Sequence, residues 1–256
     1  MMKKTAEIKA EFEQADYTAW AELIREYETD ERATVKNLLA RYQRKIAAEQ
    51  KEDARLEKML LFERKYPEAE LICGIDEAGR GPLAGPVVAG AVILPKECKI
   101  RYLNDSKQLS EKKREALYDE IREKAVAVGV GIVSWERIDE INILQATYEA
   151  MRTAIADLGV TPDLLLNDAV KIPEVSIRQI PIIHGDASSL SIAAASVIAK
   201  VTRDRLMKEY DELMQEYGFA KHKGYGCASH IEAIREHGPS VIHRRSFLKN
   251  ILEENE

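Results

Sequence analysis

Asp76 and Glu77 stand side by side at the end of an apolar run, Leu71-Ile72-Cys73-Gly74-Ile75, and Gly79-Arg80-Gly81 follows almost at once. A carboxylate withdrawn from water is costly unless something compensates its charge. A second apolar run, Leu164-Leu165-Leu166, delivers another acid in Asn167-Asp168, and a third, 177–184, leads into Gly185-Asp186. If these runs are strands of one sheet, Asp76, Glu77, Asp168 and Asp186 can converge at its end. Like charges crowded together raise one another's pKa. Hard cations relieve that repulsion, and an all-oxygen donor set favours Mg²⁺ or Mn²⁺ over zinc. Two such ions can activate a water and stabilise the leaving oxygen of a phosphodiester. The chemistry indicated is hydrolytic phosphoryl transfer. Each acid taken singly is better explained as a turn or helix-cap residue, so the combination carries the reading.

The elements that must position these acids follow from pattern. Residues 71–75, 86–94, 125–134, 164–166 and 177–184 read as strands. Pro181 marks the fifth for an edge, because proline cannot donate to a ladder. Residues 111–124 read as a helix with Ser110 as N-cap, and Lys113 at the third position rules out the reciprocal capping box. Residues 138–158 read as a helix ended by Gly159, with Pro162 beyond it. A long helix is predicted over 190–217, beginning near Ser188, packed closely through Ala193 to Ala195 and ended by Gly218; the tail to Asn250 reads as helical. The predicted fold class is α/β: one mixed five-stranded sheet flanked by helices, with helical extensions at both ends.

Residues 1–69 have no glycine and one proline, Pro67, and are rich in good helix formers. They predict two or three helices, ending where Lys65-Tyr66-Pro67 breaks the pattern. The expected organisation is a helical N-terminal extension (1–69), a catalytic domain (70–217) and a C-terminal segment contributing to substrate binding (218–256). Between Ala33 and Ala48 there is no acid, whereas Lys36, Arg41, Arg44 and Lys45 are all present. That stretch is either a solvated face or a nucleic-acid contact.

Composition sets the outer limits. The chain has 256 residues, 45% hydrophobic and 32% charged, and a net charge of -6, so nucleic-acid binding must rest on local charge. Lys200, Lys221, Lys223, Arg244, Arg245 and Lys249 are expected to supply it as a basic groove, and Lys107 is expected to contact a phosphate. His222, His230, His237 and His243 are expected to serve packing or surface. Cys73, Cys98 and Cys227 form no Cys-x-x-Cys pair, which points away from a zinc site and towards reduced thiols. No apolar run reaches the ~18 residues a membrane helix needs, and no apolar stretch follows the two N-terminal lysines. A cytoplasmic location without membrane contact is therefore expected.

Four motifs in order resemble the bacterial ribonuclease HII family. They are Gly74-Ile75-Asp76-Glu77-Ala78-Gly79-Arg80-Gly81-Pro82-Leu83-Ala84-Gly85-Pro86-Val87-Val88, then Asp105-Ser106-Lys107-Gln108-Leu109. The helix motif Ala193-Ala194-Ala195-Ser196-Val197-Ile198-Ala199-Lys200-Val201-Thr202-Arg203-Asp204 and the late Lys223-Gly224-Tyr225-Gly226 complete them. The resemblance spans roughly 71–240 and implies a ribonuclease H-like fold. It implies that Asp76, Glu77, Asp168 and Asp186 are the catalytic and metal-binding set for Mn²⁺ or Mg²⁺. It implies that Gly79, Arg80, Gly81 and Tyr225 recognise the junction where a ribonucleotide precedes DNA. The activity implied is cleavage of the RNA strand of RNA–DNA hybrids and incision 5′ of ribonucleotides embedded in duplex DNA, leaving 5′-phosphate ends, by a monomer. Two departures stand out: Ala169 follows Asp168 where the family more often has glycine, and Cys227 stands where many relatives have threonine. The sister family, ribonuclease HIII, usually lacks Gly-Arg-Gly, which favours HII. A non-catalytic hybrid-binding module is disfavoured by the presence of all four acids. A transposase-like enzyme leaves the tyrosine and Gly-Arg-Gly motifs unexplained.

Overall fold

The protein is described by a computed structural model over residues 3–249 and 251. The chain forms two compact units, one ending at Lys58 and one beginning at Met59.

The first unit is helical: α1 (Thr5–Gln14), α2 (Trp20–Tyr27) and α3 (Ala33–Met59), the last running just past the division. Its core is Ile8 and Phe12 against Val35, Leu38, Leu39 and Tyr42, the spacing of one helical face. Phe12 stacks on Tyr42 at 4.4 Å between ring centres, and Trp20 meets the same tyrosine edge-on at 4.9 Å. The helix count agrees with the sequence pattern. The division at Lys58 precedes the expected break at Pro67: α3 ends at Met59, and the one-turn α4 (Leu61–Arg64) follows a turn at Leu60.

The second unit is built on a five-stranded sheet of order β3-β2-β1-β4-β5. The strands are β1 (Ile72–Ala78), β2 (Val87–Ile93), β3 (Ala127–Val133), β4 (Leu164–Asp168) and β5 (Arg178–Ile182). β2 is antiparallel to both β1 and β3, whereas β4 is parallel to β1 and β5 parallel to β4. Pro181 thus sits on an edge strand, where its missing donor costs least. All seven residues of β2 are buried, as a strand covered on both faces requires.

Besides α4, this unit has the helices α5 (Glu111–Lys124), α6 (Trp135–Asp157), the short α7 (Gly185–Ser188), α8 (Leu190–Leu213), α9 (Phe219–His222) and α10 (Ala228–His237). One face of the sheet carries Cys73, Ile75, Ala89 and Ala91 into a core with Ala146, Ala150 and Ala154 of α6. α8 covers the opposite face. A side chain at Gly74 would run into the Ser191–Ile192 backbone, and one at Gly90 would stand 2.5 Å from the Ala195 oxygen, so both positions must be glycine.

Several boundaries differ from the sequence reading. β1 continues through Asp76 and Glu77, and β4 includes Asp168, so these acids pair within the ladder. α6 starts at Trp135 because Ser134 caps it. It is two helical segments joined at Asn142 (φ 68°), whose side-chain oxygen accepts from the Leu144 and Gln145 N–H groups at 3.0 and 3.2 Å and caps the second. α8 stops at Leu213; Gln215–Tyr217 is a separate 3₁₀ turn that Gly218 ends. The tail is not one helix, since left-handed Lys223 and Gly224 and positive-φ Gly238 interrupt it, and Asn250 lies outside the described residues. Among the described residues no helix is long and apolar enough to cross a membrane.

Candidate active site

β1 and β4 run parallel in the register Gly74↔Leu166 and Ile75↔Asn167. Asp76 and Asp168 are the next residues on the two strands and lie side by side at the carboxyl ends. Strand alternation sends Asp76 towards α8, the side that Gly74 faces, and Glu77 to the other side, where Arg80 Nη1 meets its Oε1 at 3.3 Å. Asp168 Oδ1 accepts the Gly185 N–H at 2.8 Å, which ties β4 to the α7 turn carrying Asp186. Asn167 is fully buried and donates to Val170 O at 3.1 Å and Gln179 Oε1 at 2.9 Å, which fixes the loop after β4 against β5. Lys107 sits in a 3₁₀ turn capped by Asp105, with Nζ 3.7 Å from Asp186 Oδ2.

The four acids share one electrostatic field. Burial, then the charges of Glu77 and Asp168, hold the Asp76 carboxyl well above the usual carboxylate range. Burial raises Glu77 too, with Asp168 adding to it and Arg80 opposing. Burial, Asp105 and Asp168 raise Asp186, with Lys107 opposing. Burial lowers Lys107, but Asp105, Asp76, Asp186 and Asp168 outweigh it and raise its pKa. Among the described residues no three acid, histidine or cysteine side chains stand close enough together to hold an ion as they are. The donors nevertheless fit a hard divalent cation. They are all oxygen, partly buried, and short of compensating positive charge.

Beside the acids, the segment 79–86 is clamped from behind. Leu83 N–H donates to Gly224 O at 2.8 Å, Gly85 N–H to Ile242 O at 2.9 Å and Arg244 N–H to Leu83 O at 2.9 Å. Two fully buried guanidiniums complete the clamp. Arg203 donates to Pro86 O (2.9 Å), Lys223 O (2.9 Å) and Ala84 O (3.0 Å). Arg244 donates to Gly79 O (2.6 Å), Arg80 O (3.0 Å), Gly85 O (2.8 and 2.9 Å) and Pro86 O (3.2 Å). Burial pulls Arg203 down to about 10; burial and the Arg203 charge pull Arg244 down to about 9. Both remain cations at neutral pH. Tyr225 is 46% exposed, and its Cε1 would lie 4.0 Å from a Cβ on Gly81, so the two motifs meet at one surface.

The ribonuclease HII profile matches residues 73–250, and the profile of the ribonuclease HII N-terminal domain matches residues 4–67. The chain belongs to the ribonuclease HII family. It is 61% identical to the ribonuclease HII of Lachnoclostridium phytofermentans over 97% of this chain and 98% of the relative. It is 51% identical to that of Clostridioides difficile over 98% and 99%. Among solved structures it resembles the ribonuclease H2 of Pyrococcus horikoshii (TM-score 0.59, 26% identity, 72% of this chain and 98% of that one). It also resembles the ribonuclease HII solved in complex with PCNA from Archaeoglobus fulgidus (TM-score 0.59, 30% identity, 68% and 94%). As a ribonuclease HII it is an enzyme of the ribonuclease H type, and its mixed sheet with flanking helices is the ribonuclease H-like fold.

Within this ribonuclease HII, the expected basic groove needs correction. Arg244 is fully buried and Lys223 is 8% exposed, because both serve the clamp, and Lys200 is paired with Asp204 at 2.7 Å. Only Lys221, Arg245 and Lys249 of that set are exposed. His230 and His243 serve packing, whereas His237 is exposed. His243 Nδ1 accepts the Ser240 N–H at 2.9 Å, so its Nε2–H donates to His230 Nε2 at 3.0 Å, and His230 Nδ1–H donates to Tyr225 O at 3.0 Å. Sequence reasoning passed over Asp105, which raises Asp186, and Ser196, whose hydrogen bond to Asp76 opposes the effect of burial. It also missed the roles of Arg203 and Arg244. Arg203 follows a run of α8 residues buried at nearly every position, the one signal that could have marked it as an interior charge.

Proposed function

We propose that this ribonuclease HII cuts the RNA strand of RNA–DNA hybrids and incises duplex DNA 5′ of an embedded ribonucleotide, leaving a 5′-phosphate. The observation that carries this reading is the cluster Asp76, Glu77, Asp168 and Asp186 beside the Gly79-Arg80-Gly81 loop and Tyr225. Asp76 and Asp168 would hold divalent cations, Mg²⁺ or Mn²⁺, with Glu77 and Asp186 completing the donor set. A cation bound there supplies an activated water and stabilises the leaving oxygen. Lys107 and Arg80 add positive charge next to the acids and would bind the phosphates flanking the scissile bond. RNA differs from DNA by its 2′-hydroxyl, and the backbone of Gly79-Arg80-Gly81 would read that group while the half-exposed Tyr225 ring stacks on the neighbouring sugar or base.

In this reading residues 70–217 carry catalysis and 218–256 contribute Tyr225. The extension 1–69 adds nucleic-acid contact. Exposed Arg41 and Arg44 are the side chains for that contact, since Lys36 pairs with Glu31 at 2.7 Å and Lys45 lies over the Trp20 and Tyr42 rings at 5.2 and 4.3 Å. The test is incision of a DNA duplex carrying one ribonucleotide, with Mg²⁺ or Mn²⁺ and with EDTA, by wild type and by Asp76→Asn. Metal-dependent cutting on the 5′ side, lost in the variant by at least about 10³-fold, is expected. Cutting of long hybrids alone would reassign the specificity to that of ribonuclease HIII.

A further inference from the structure

The hydrogen bonds of Arg203 and Arg244 all run to backbone carbonyls of 79–86 and Lys223. A buried guanidinium is normally hydrogen-bonded to a carboxylate; here the hydrogen-bond partners are peptide carbonyls, and Asp204 and Asp139 add favourable charge to Arg203 and Arg244 respectively. That arrangement dictates how the peptides are turned. Every peptide bond of the described chain is trans, so each C=O and the following N–H point in opposite directions. The Gly79 and Arg80 carbonyls point inward to Arg244. The Arg80 and Gly81 N–H groups must therefore point outward, on the exposed side where Tyr225 stands. Among the described residues neither N–H meets a protein acceptor. Gly79 also adopts φ +95°, and a side chain there would collide with the Arg203 guanidinium, so Arg203 forms the wall on which the loop is seated.

We propose that Arg244 is the positioning residue for ribose recognition: by holding the Gly79 and Arg80 carbonyls inward, it presents the Arg80 and Gly81 N–H groups as two preset donors to a 2′-hydroxyl oxygen. Arg203 supports the same loop from behind without touching those two carbonyls. The inference rests on the proposed reading of this loop as the ribose reader. It adds that the selectivity comes from a side chain that never meets the substrate. A lysine in place of Arg244 would keep the charge but lose the planar fork that reaches several carbonyls at once.

The measurement is equilibrium binding of the full-length protein, in EDTA, to a labelled DNA duplex with one ribonucleotide and to the same duplex in all-DNA form. Wild type, Arg244→Lys and Arg203→Lys are compared, with thermal unfolding run on each. Wild type is expected to prefer the ribonucleotide duplex. Arg244→Lys should lose about tenfold of that preference, the order expected for losing well-aimed donors, while its affinity for all-DNA duplex stays within about twofold. Arg203→Lys should lose less, about threefold. Arg244→Lys with the wild-type preference intact, or losing affinity for both duplexes in parallel, would overturn the inference. So would Arg203→Lys matching Arg244→Lys, which would mean general loosening of the loop. If Arg244→Lys does not fold, Arg244→Gln is measured in its place and judged by the same outcomes. A wild type with no preference would instead overturn the reading of the loop as a ribose reader, and the inference with it.

Discussion

At the scale of single residues, the acid cluster trades stability for metal affinity. Asp76 has its folded-state pKa raised above that of the unfolded chain, chiefly by burial. Its stabilising protonated form is fully present only below the unfolded pKa and is lost as pH rises through the raised folded value. At neutral pH, above the unfolded pKa, the buried Asp76 carboxyl therefore destabilises the metal-free protein. Asp76→Asn is expected to raise the metal-free melting temperature at pH 7 by a few degrees, at about 2–4 °C per kcal/mol for a chain of this size, while abolishing cleavage. Added Mn²⁺ should raise the melting temperature of wild type far more than that of the variant. A variant that melts lower than wild type without metal would refute the electrostatic account. Metal-binding titrations should also release protons, because raised carboxyls must ionise to bind.

At the scale of elements, one turn and one histidine chain carry separate expectations. Ala169 follows β4 in the left-handed region, at φ 55°, with its N–H bonded to Ile182 O at 2.9 Å. A Cβ there costs about 1–2 kcal/mol relative to glycine, which accounts for the glycine that the resemblance led one to expect. Ala169→Gly should stabilise the fold by about 0.5–1 kcal/mol once the greater freedom of the unfolded glycine is deducted, measurable by urea denaturation. The chain Ser240–His243–His230–Tyr225 works only with neutral imidazoles. Burial lowers both His230 and His243 from 6.5 to about 4. Below pH 6.5 the unfolded state thus binds more protons than the folded one, so stability falls as pH falls and levels off below about 4. Between pH 7 and pH 5 each imidazole should withdraw about 2 kcal/mol. His230→Asn should flatten that slope, and a variant with the wild-type pH dependence would count against the relay.

At the scale of the whole molecule, the net charge of -6 gives no general attraction for nucleic acid, so affinity must come from a few local cations. With Arg244, Lys223 and Lys200 occupied internally, the exposed set is smaller than the sequence implied. The salt dependence of duplex binding should accordingly be modest. Replacing Arg41 and Arg44 together by glutamine should reduce the slope of log K against log salt by about 1–2 if both meet phosphates. An unchanged slope would leave the N-terminal unit without that role.

Much of this protein was legible because local chemistry is local. The apolar runs, Pro181, Ser110 and Gly159 fixed strands, an edge, a cap and a stop, since each acts within a turn or two of chain. The four motifs supplied the family and the candidate acids by order along the sequence. Other features depended on what lies across space. β1 and β4 extended through their acids because register with β2 and β5, not apolar pattern, decides where those ladders end. Arg244 read as surface charge because basic residues usually are, and Arg203 drew no reading beyond its place in the helix motif. Their burial follows from a cage of accepting carbonyls, most of them in the 79–86 segment; 117 residues separate Arg203 from Pro86, and 20 separate it from Lys223. Residue types and spacing therefore determined the family, the fold class and the candidate metal chemistry, while only the tertiary structure decided which charges face solvent and which way the substrate loop presents its amides.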